Sequence, residues 1–102
     1  MAVVCTESER CLHAAISGEL DHHHARQVIG ELEDRIDAAQ PQKLILDFEG
    51  LSFTDSSGIA VLVRAFRRMG QLGGTMMVQH TPEQARKVFF AAGLHRMISF
   101  ES

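Results

Sequence analysis

The segment Phe53-Thr54-Asp55-Ser56-Ser57-Gly58-Ile59 holds the residues best suited to chemistry. It joins an apolar stretch to a helical one. At such a junction a carboxylate or hydroxyl can accept from the first N–H groups of the helix, which have no partner in their own turn. The helix dipole favours negative charge there by about 0.3–1 kcal/mol. A phosphate suits the same place. The two serines therefore read first as plain helix caps and also as phosphoacceptors, and spacing alone leaves both open. Gly58 carries no side chain, which would let a partner's backbone approach closely.

Other residues offer other chemistry. A serine on a strand-to-helix turn could be a hydrolase nucleophile, but the G-x-S-x-G pattern is absent. His13, His80 and His95 are the histidines that a triad, defined by geometry, could still recruit. His22-His23-His24 invites a metal reading. Consecutive side chains near a helix start point in different directions, however, and no second His/Cys cluster has ligand spacing, so no metal site is expected. Cys5 and Cys11 could face each other across a hairpin; two free thiols are expected, because cytosolic disulfides are rare. No glycine-rich phosphate loop is present. Asp47 lacks the acidic pair after the first strand that an aspartate-phosphorylated receiver needs.

The elements that must position these residues follow from periodicity. Ala2–Thr6 reads as a strand, Glu7–Arg10 as a polar turn, and Cys11–Ser17 as a strand with one buried face, ended by Gly18. Asp21 can cap a helix in which Ala25, Val28, Ile29, Leu32, Ile36 and Ala39 form one apolar stripe, and Pro41 stops it. Lys43–Phe48 is a continuous apolar run, as in a central strand. Leu51-Ser52-Phe53 reads as a connecting segment. The helix opened by Asp55-Ser56-Ser57-Gly58 turns Ile59, Leu62, Val63, Phe66 and Met69 inward. Arg64, Arg67 and Arg68 lie outward, either as a solvated face or as part of a partner surface. Gly73-Gly74 ends it, and Thr75–Gln79 is a strand. Thr81 caps a third helix with Pro82 at its first position. Met97–Phe100 is a last strand. The order β-β-α-β-α-β-α-β predicts an α/β fold: a mixed, mostly parallel sheet of about five strands, three to four helices and an N-terminal antiparallel hairpin.

The 102 residues suit one domain, and a formal net charge of −3 gives no electrostatic reason to hold nucleic acid. No apolar run spans a bilayer, and the first residues lack a signal peptide's pattern, so a cytoplasmic setting is the default.

Three stretches together resemble the anti-sigma factor antagonists of the STAS family, sporulation-type switch proteins of Gram-positive bacteria. Gly18-Glu19-Leu20-Asp21-His22-His23 is similar to the family's GELD turn, and its two histidines resemble the sporulation branch. Leu51-Ser52-Phe53-Thr54-Asp55-Ser56-Ser57-Gly58 resembles its phosphorylation loop. Gly73-Gly74, Phe89, Gly93-Leu94 and Ile98-Ser99-Phe100-Glu101 resemble its C-terminal third.

The resemblance implies a single STAS-like domain over residues 1–102 that is not an enzyme and carries no cofactor. It implies binding to an anti-sigma factor that is also a serine kinase with a GHKL-type ATP site, which frees a sigma factor. The kinase then phosphorylates the first serine of the loop, here Ser56, and a serine phosphatase reverses this. Asp55, Ser57, Gly58 and Ile59 would shape the partner-binding loop. Asp21, His22 and His23 would lie on the same rim, joined by Thr81. The free protein is expected to be a monomer that docks on a dimeric partner. Alternatives are a STAS regulatory module in a stress-response or transport-linked assembly, or a small serine hydrolase. The chain departs from the family at His24, where a small or polar residue is usual, and it stops soon after the last strand, which implies a short or missing final helix.

Overall fold

In the computed structural model, which describes residues 1–101, strand residues alternate between two faces, and Leu12, Ala14, Ile16, Leu44, Leu46, Met76 and Val78 share one buried side. That side is sealed by three helices. The elements are β1 (Ala2–Ser8), β2 (Cys11–Leu20), α1 (Ala25–Ala39), β3 (Lys43–Asp47), β4 (Leu51–Thr54), α2 (Ser57–Gln71), β5 (Thr75–Gln79), α3 (Glu83–Ala91) and β6 (Ser99–Glu101), with a single 3-10 turn at Leu94–Arg96. Six strands form one mixed sheet in the order β1-β2-β3-β5-β6, with β4 also paired to β2. Among the described residues only β1 and β2 pair antiparallel; every other pairing is parallel.

The expected fold class is therefore present, with corrections in detail. Leu51–Thr54 is a strand, not a mere connection. It runs parallel to Gly18–Leu20 while β3 runs parallel to Cys11–Ala15, so β3 and β4 are one interrupted line beside the long strand β2. Gly18 does not end β2. It sits at φ +95°, where the register shifts, and its N–H donates to Gly50 O at 3.0 Å. A residue other than glycine is strained at that φ, so the bulge bends β2 without breaking it. β1 extends to Ser8, and its turn is Glu9-Arg10, both with positive φ. The last strand begins at Ser99, after the 3-10 turn.

The core lies between sheet and helices. Leu12, Ala14 and Ile16 of β2, Leu44 and Leu46 of β3, and Val78 of β5 face Val28, Leu32 and Ile36 of α1 and Val61, Leu62 and Met69 of α2. Phe48 and Phe89 stack at 5.8 Å, and Phe100 lies beside Phe89 at 6.2 Å, which ties α3 and β6 to the sheet. The opposite face carries Cys11, His13, Ala15, Ile45, Asp47, Met77 and Gln79, each half-buried and without a helix over it. Cys5 pairs in register with Ala14, and Cys11 with Ser8, so both thiols are free.

The basic outer stripe of α2 is not uniformly solvated. Arg64 grips Glu33 of α1 through both terminal and inner guanidinium nitrogens, at 3.0 to 3.3 Å, and Arg68 pairs with Asp37 at 3.2 Å. Arg64 and Arg67 are exposed, and Arg68 is half-buried.

Candidate functional site

Parallel strands end on one rim of the sheet, and there the turns after β2 and β4 meet. The meeting point is Asp55. Its Oδ1 accepts from the N–H of Ser57 at 2.8 Å, and its Oδ2 accepts from the N–H of His22 at 3.2 Å. One carboxylate thus caps α2 and braces the turn that leads to α1. These donors hold the Asp55 carboxyl below its ordinary range, the Ser57 N–H most of all, with desolvation and, less strongly, Asp21's charge opposing.

Asp21 repeats the device. Its carboxylate accepts from the N–H groups of His23 and His24 and meets the His24 ring at 2.8 Å. Partial burial pushes its pKa up, but the His24 contacts and the backbone donors outweigh it and leave the net shift downward. Asp21 caps a short turn of residues 22–24 ahead of α1, which begins at Ala25. The histidine run is split: His24 is bound to Asp21, whereas His22 and His23 are exposed and sit edge-to-face at 5.9 Å.

Ser56 differs from the expected cap. It occupies the position before α2, in helical backbone geometry (φ −61°, ψ −16°), and its hydroxyl makes no capping hydrogen bond. Asp55 has taken that role. The Ser56 side chain is exposed, so its hydroxyl is free of the fold's own hydrogen bonding.

Gly58 also departs from expectation. It is buried and faces inward, not toward a visitor. A Cβ there would collide with the Thr54 hydroxyl and press on Phe89 at 3.3 Å and Leu20 at 3.4 Å. Thr54 is itself 0% exposed, and its hydroxyl is shared between Leu20 O at 2.9 Å and Asp55 O at 3.0 Å. The glycine is required because the threonine that locks β4 to β2 fills its space. Ile59 is half-buried against the core, and Ser57 is half-buried beside Asp55.

Thr81 does not cap α3. Pro82 holds that position, and the Thr81 hydroxyl is buried without a partner. What joins α3 to the rim is Gln84, whose side-chain amide bonds both backbone groups of Thr54. Phe53 is 41% exposed on β4, an apolar group beside the charged turn. Neither Gln84 nor Phe53 stands out in the sequence as a contact residue. An exposed aromatic next to the serine loop was the available signal for Phe53; Gln84 had none.

The histidines considered as a hydrolase base are engaged elsewhere. His13 and His80 lie on either side of Asp47, at 3.3 and 3.0 Å, and His95 stacks on Phe90 at 4.4 Å. None of these three histidines meets Ser56 or Ser57 as the base that nucleophilic catalysis needs.

The STAS domain family model matches residues 2–102. An anti-sigma F factor antagonist of Paenibacillus polymyxa is 30% identical over 83 residues, spanning 81% of this chain and 71% of that one. Among solved structures, the anti-sigma factor antagonist SpoIIAA in its unphosphorylated form superposes with a TM-score of 0.83 at 27% identity, covering 99% of this chain and 89% of that one. The Bacillus cell fate determinant SpoIIAA in its phosphorylated form gives 0.75 at 26% identity, covering 99% and 92%. These relatives are regulatory proteins, not enzymes.

Proposed function

This chain belongs to the STAS domain family, and from that premise we propose that it is an anti-sigma factor antagonist whose grip on its partner is released by phosphorylation of Ser56. The observation that carries this reading is the Ser56 hydroxyl, exposed and unbonded at the start of α2, beside a carboxylate that already performs the capping. A kinase can reach it without unfolding anything, and no internal hydrogen bond is lost when it is modified.

The active form docks through the rim. His22 and His23 offer exposed donors, Phe53 an apolar contact, and Ser56 and Ser57 small polar ones. Asp21, Asp55, Gly58, Ile59 and Thr81 serve by shaping that surface. The partner is an anti-sigma factor that is also a serine kinase with a GHKL-type ATP site, and a serine phosphatase restores the free hydroxyl. The whole of residues 1–102 acts as one cytoplasmic domain, monomeric when free, in a sporulation-type circuit.

Phosphorylation adds about −1.5 to −2 charges at neutral pH. The new charge lands next to Asp55 and near Asp21, two carboxylates that already repel each other. Within the domain the helix N-terminus tolerates it. Across a closed interface it must be desolvated, and like charges there cost several kcal/mol. Each 1.4 kcal/mol is about tenfold in affinity, so release needs no change of fold. That phosphorylated and unphosphorylated SpoIIAA both superpose on this chain is in keeping with that.

The test is to incubate the protein with the candidate kinase and ATP and map the modified residue by mass spectrometry. Phosphate at Ser56, absent from Ser56→Ala, is expected. Phosphate at Ser57 instead, or none at all, would contradict the assignment.

A further inference from the structure

On the helix-free face of the sheet, three strands bring together side chains that lie far apart in sequence. Asp47 ends β3. Its in-register neighbours are Ala15 on β2 and Gln79 on β5. His13, two residues before Ala15, places Nε2 at 3.3 Å from one Asp47 oxygen. His80, the residue after Gln79, places Nδ1 at 3.0 Å from the other. Glu49 follows two residues after Asp47, and its N–H donates to the same Asp47 oxygen at 3.0 Å. One ligand atom from each of Asp47, Glu49 and His80 lies within 4.8 Å of the others.

We propose that Asp47, Glu49 and His80 form a binding site for a divalent transition-metal cation of the zinc type, with His13 orienting the Asp47 carboxylate from behind. The donor set is one imidazole nitrogen and two carboxylates, which favours zinc-like ions over the all-oxygen sets of calcium and magnesium. Ligands to zinc sit about 2.1 Å from the ion in a tetrahedron, so two of them lie about 3.4 Å apart. The 4.8 Å spread therefore closes by about 0.7 Å on each of two side chains, and exposed Glu49 is free to supply the movement.

The surroundings are those of a prepared ligand. The Asp47 side chain is only 15% exposed, and its orientation is fixed by a backbone donor and an imidazole. Bonded carboxylates of that kind are what hold metal ligands in place in known sites. His80 is set by its own strand end: its backbone is left-handed (φ +56°) and its N–H donates to Glu101 O of β6 at 3.3 Å. The site lies at the end of the sheet that also carries the rim but opens on the opposite face, so an ion could be held there without covering Ser56. This assignment does not depend on the switch mechanism.

The experiment is calorimetric titration of the whole chain with zinc chloride, in four forms: unmodified, His80→Asn, Glu49→Gln, and His22→Gln/His23→Gln/His24→Gln. Asparagine tolerates left-handed backbone, so His80→Asn removes the imidazole with little strain, and Glu49→Gln alters an exposed side chain that the fold does not need. One zinc per chain is expected for the unmodified protein and for the triple variant, with at least tenfold weaker binding in His80→Asn and in Glu49→Gln. No uptake by the unmodified chain at millimolar zinc would overturn the proposal and leave His13 and His80 as hydrogen-bond partners of Asp47 only. Full-strength binding in both single variants, or loss of binding in the triple variant, would overturn it equally.

Discussion

The Gln84 side chain closes on Thr54 like a short strand: its carbonyl accepts from the Thr54 N–H at 3.0 Å, and its amide donates to the Thr54 C=O at 2.8 Å. β4 pairs only with β2, so its other edge would end in unmet backbone groups just before the Asp55-Ser56 turn. α3 supplies the missing partner through one side chain. Gln84→Ala removes both bonds, each worth about 0.5–1.5 kcal/mol. A loss of about 1–3 kcal/mol in chemical denaturation is expected, with the fold intact. Unchanged stability would show that water replaces the amide at no cost.

Gly58 and Thr54 compete for the same space. Gly58→Ala drives a methyl group into the threonine hydroxyl, and overpacking of this kind costs about 1–3 kcal/mol. Thr54→Ala separately loses the bond to Leu20 O. The pair should couple: the double variant is expected to be more stable than the sum of the single losses predicts, because the alanine at 54 makes room. Simple additivity in denaturant melts would contradict the steric account.

Asp55 carries a pH prediction. Its carboxyl is held below the ordinary 3.8 by the Ser57 and His22 donors. A depressed folded-state value means the charged form is favoured by folding. The stabilisation is therefore fully present above 3.8 and is lost as pH falls through the lower folded value. Melting curves between about pH 5 and pH 2 should show a shallower acid limb for Asp55→Asn than for the unmodified protein. Parallel limbs would mean that Asp55 titrates as it does in the unfolded chain.

Arg64 tests how much the α1–α2 ion pairs matter. The Arg64–Glu33 contact is fork-like, but the arginine is half in water, and exposed pairs give about 0–1 kcal/mol. Arg64→Ala should change stability by less than about 1 kcal/mol, and any effect should shrink in added salt. A larger loss would mark this pair as structural.

The sheet-forming runs were legible because they are long and regular. Leu44-Ile45-Leu46 and the alternation of Leu12, Ala14 and Ile16 announce buried strands, and the α1 stripe announces its helix. β4 was not legible: only Leu51 and Thr54 of its four residues turn inward, too few to show a period. The continuation of β2 past Gly18 depends on a bulge, and a glycine after an apolar run reads more simply as a stop. Within the site, Asp55, Ser56 and Ser57 are all cap-forming types. Only backbone geometry shows that Asp55 caps and Ser56 stays free. Thr81 before Pro82 looks like a cap by type, yet the proline takes the position and the hydroxyl turns in. The Asp47 cluster draws on β2, β3 and β5, so no local spacing could reveal it.

The switch itself is tested most directly by the affinity of the anti-sigma factor for this protein before and after stoichiometric phosphorylation of Ser56, with amide NMR spectra of the free protein recorded alongside. The account predicts at least a tenfold weaker complex, with spectral changes confined to the turns around residues 21–24 and 54–59. Equal affinity of the two forms, or a phosphorylated domain whose sheet resonances all move, would contradict it.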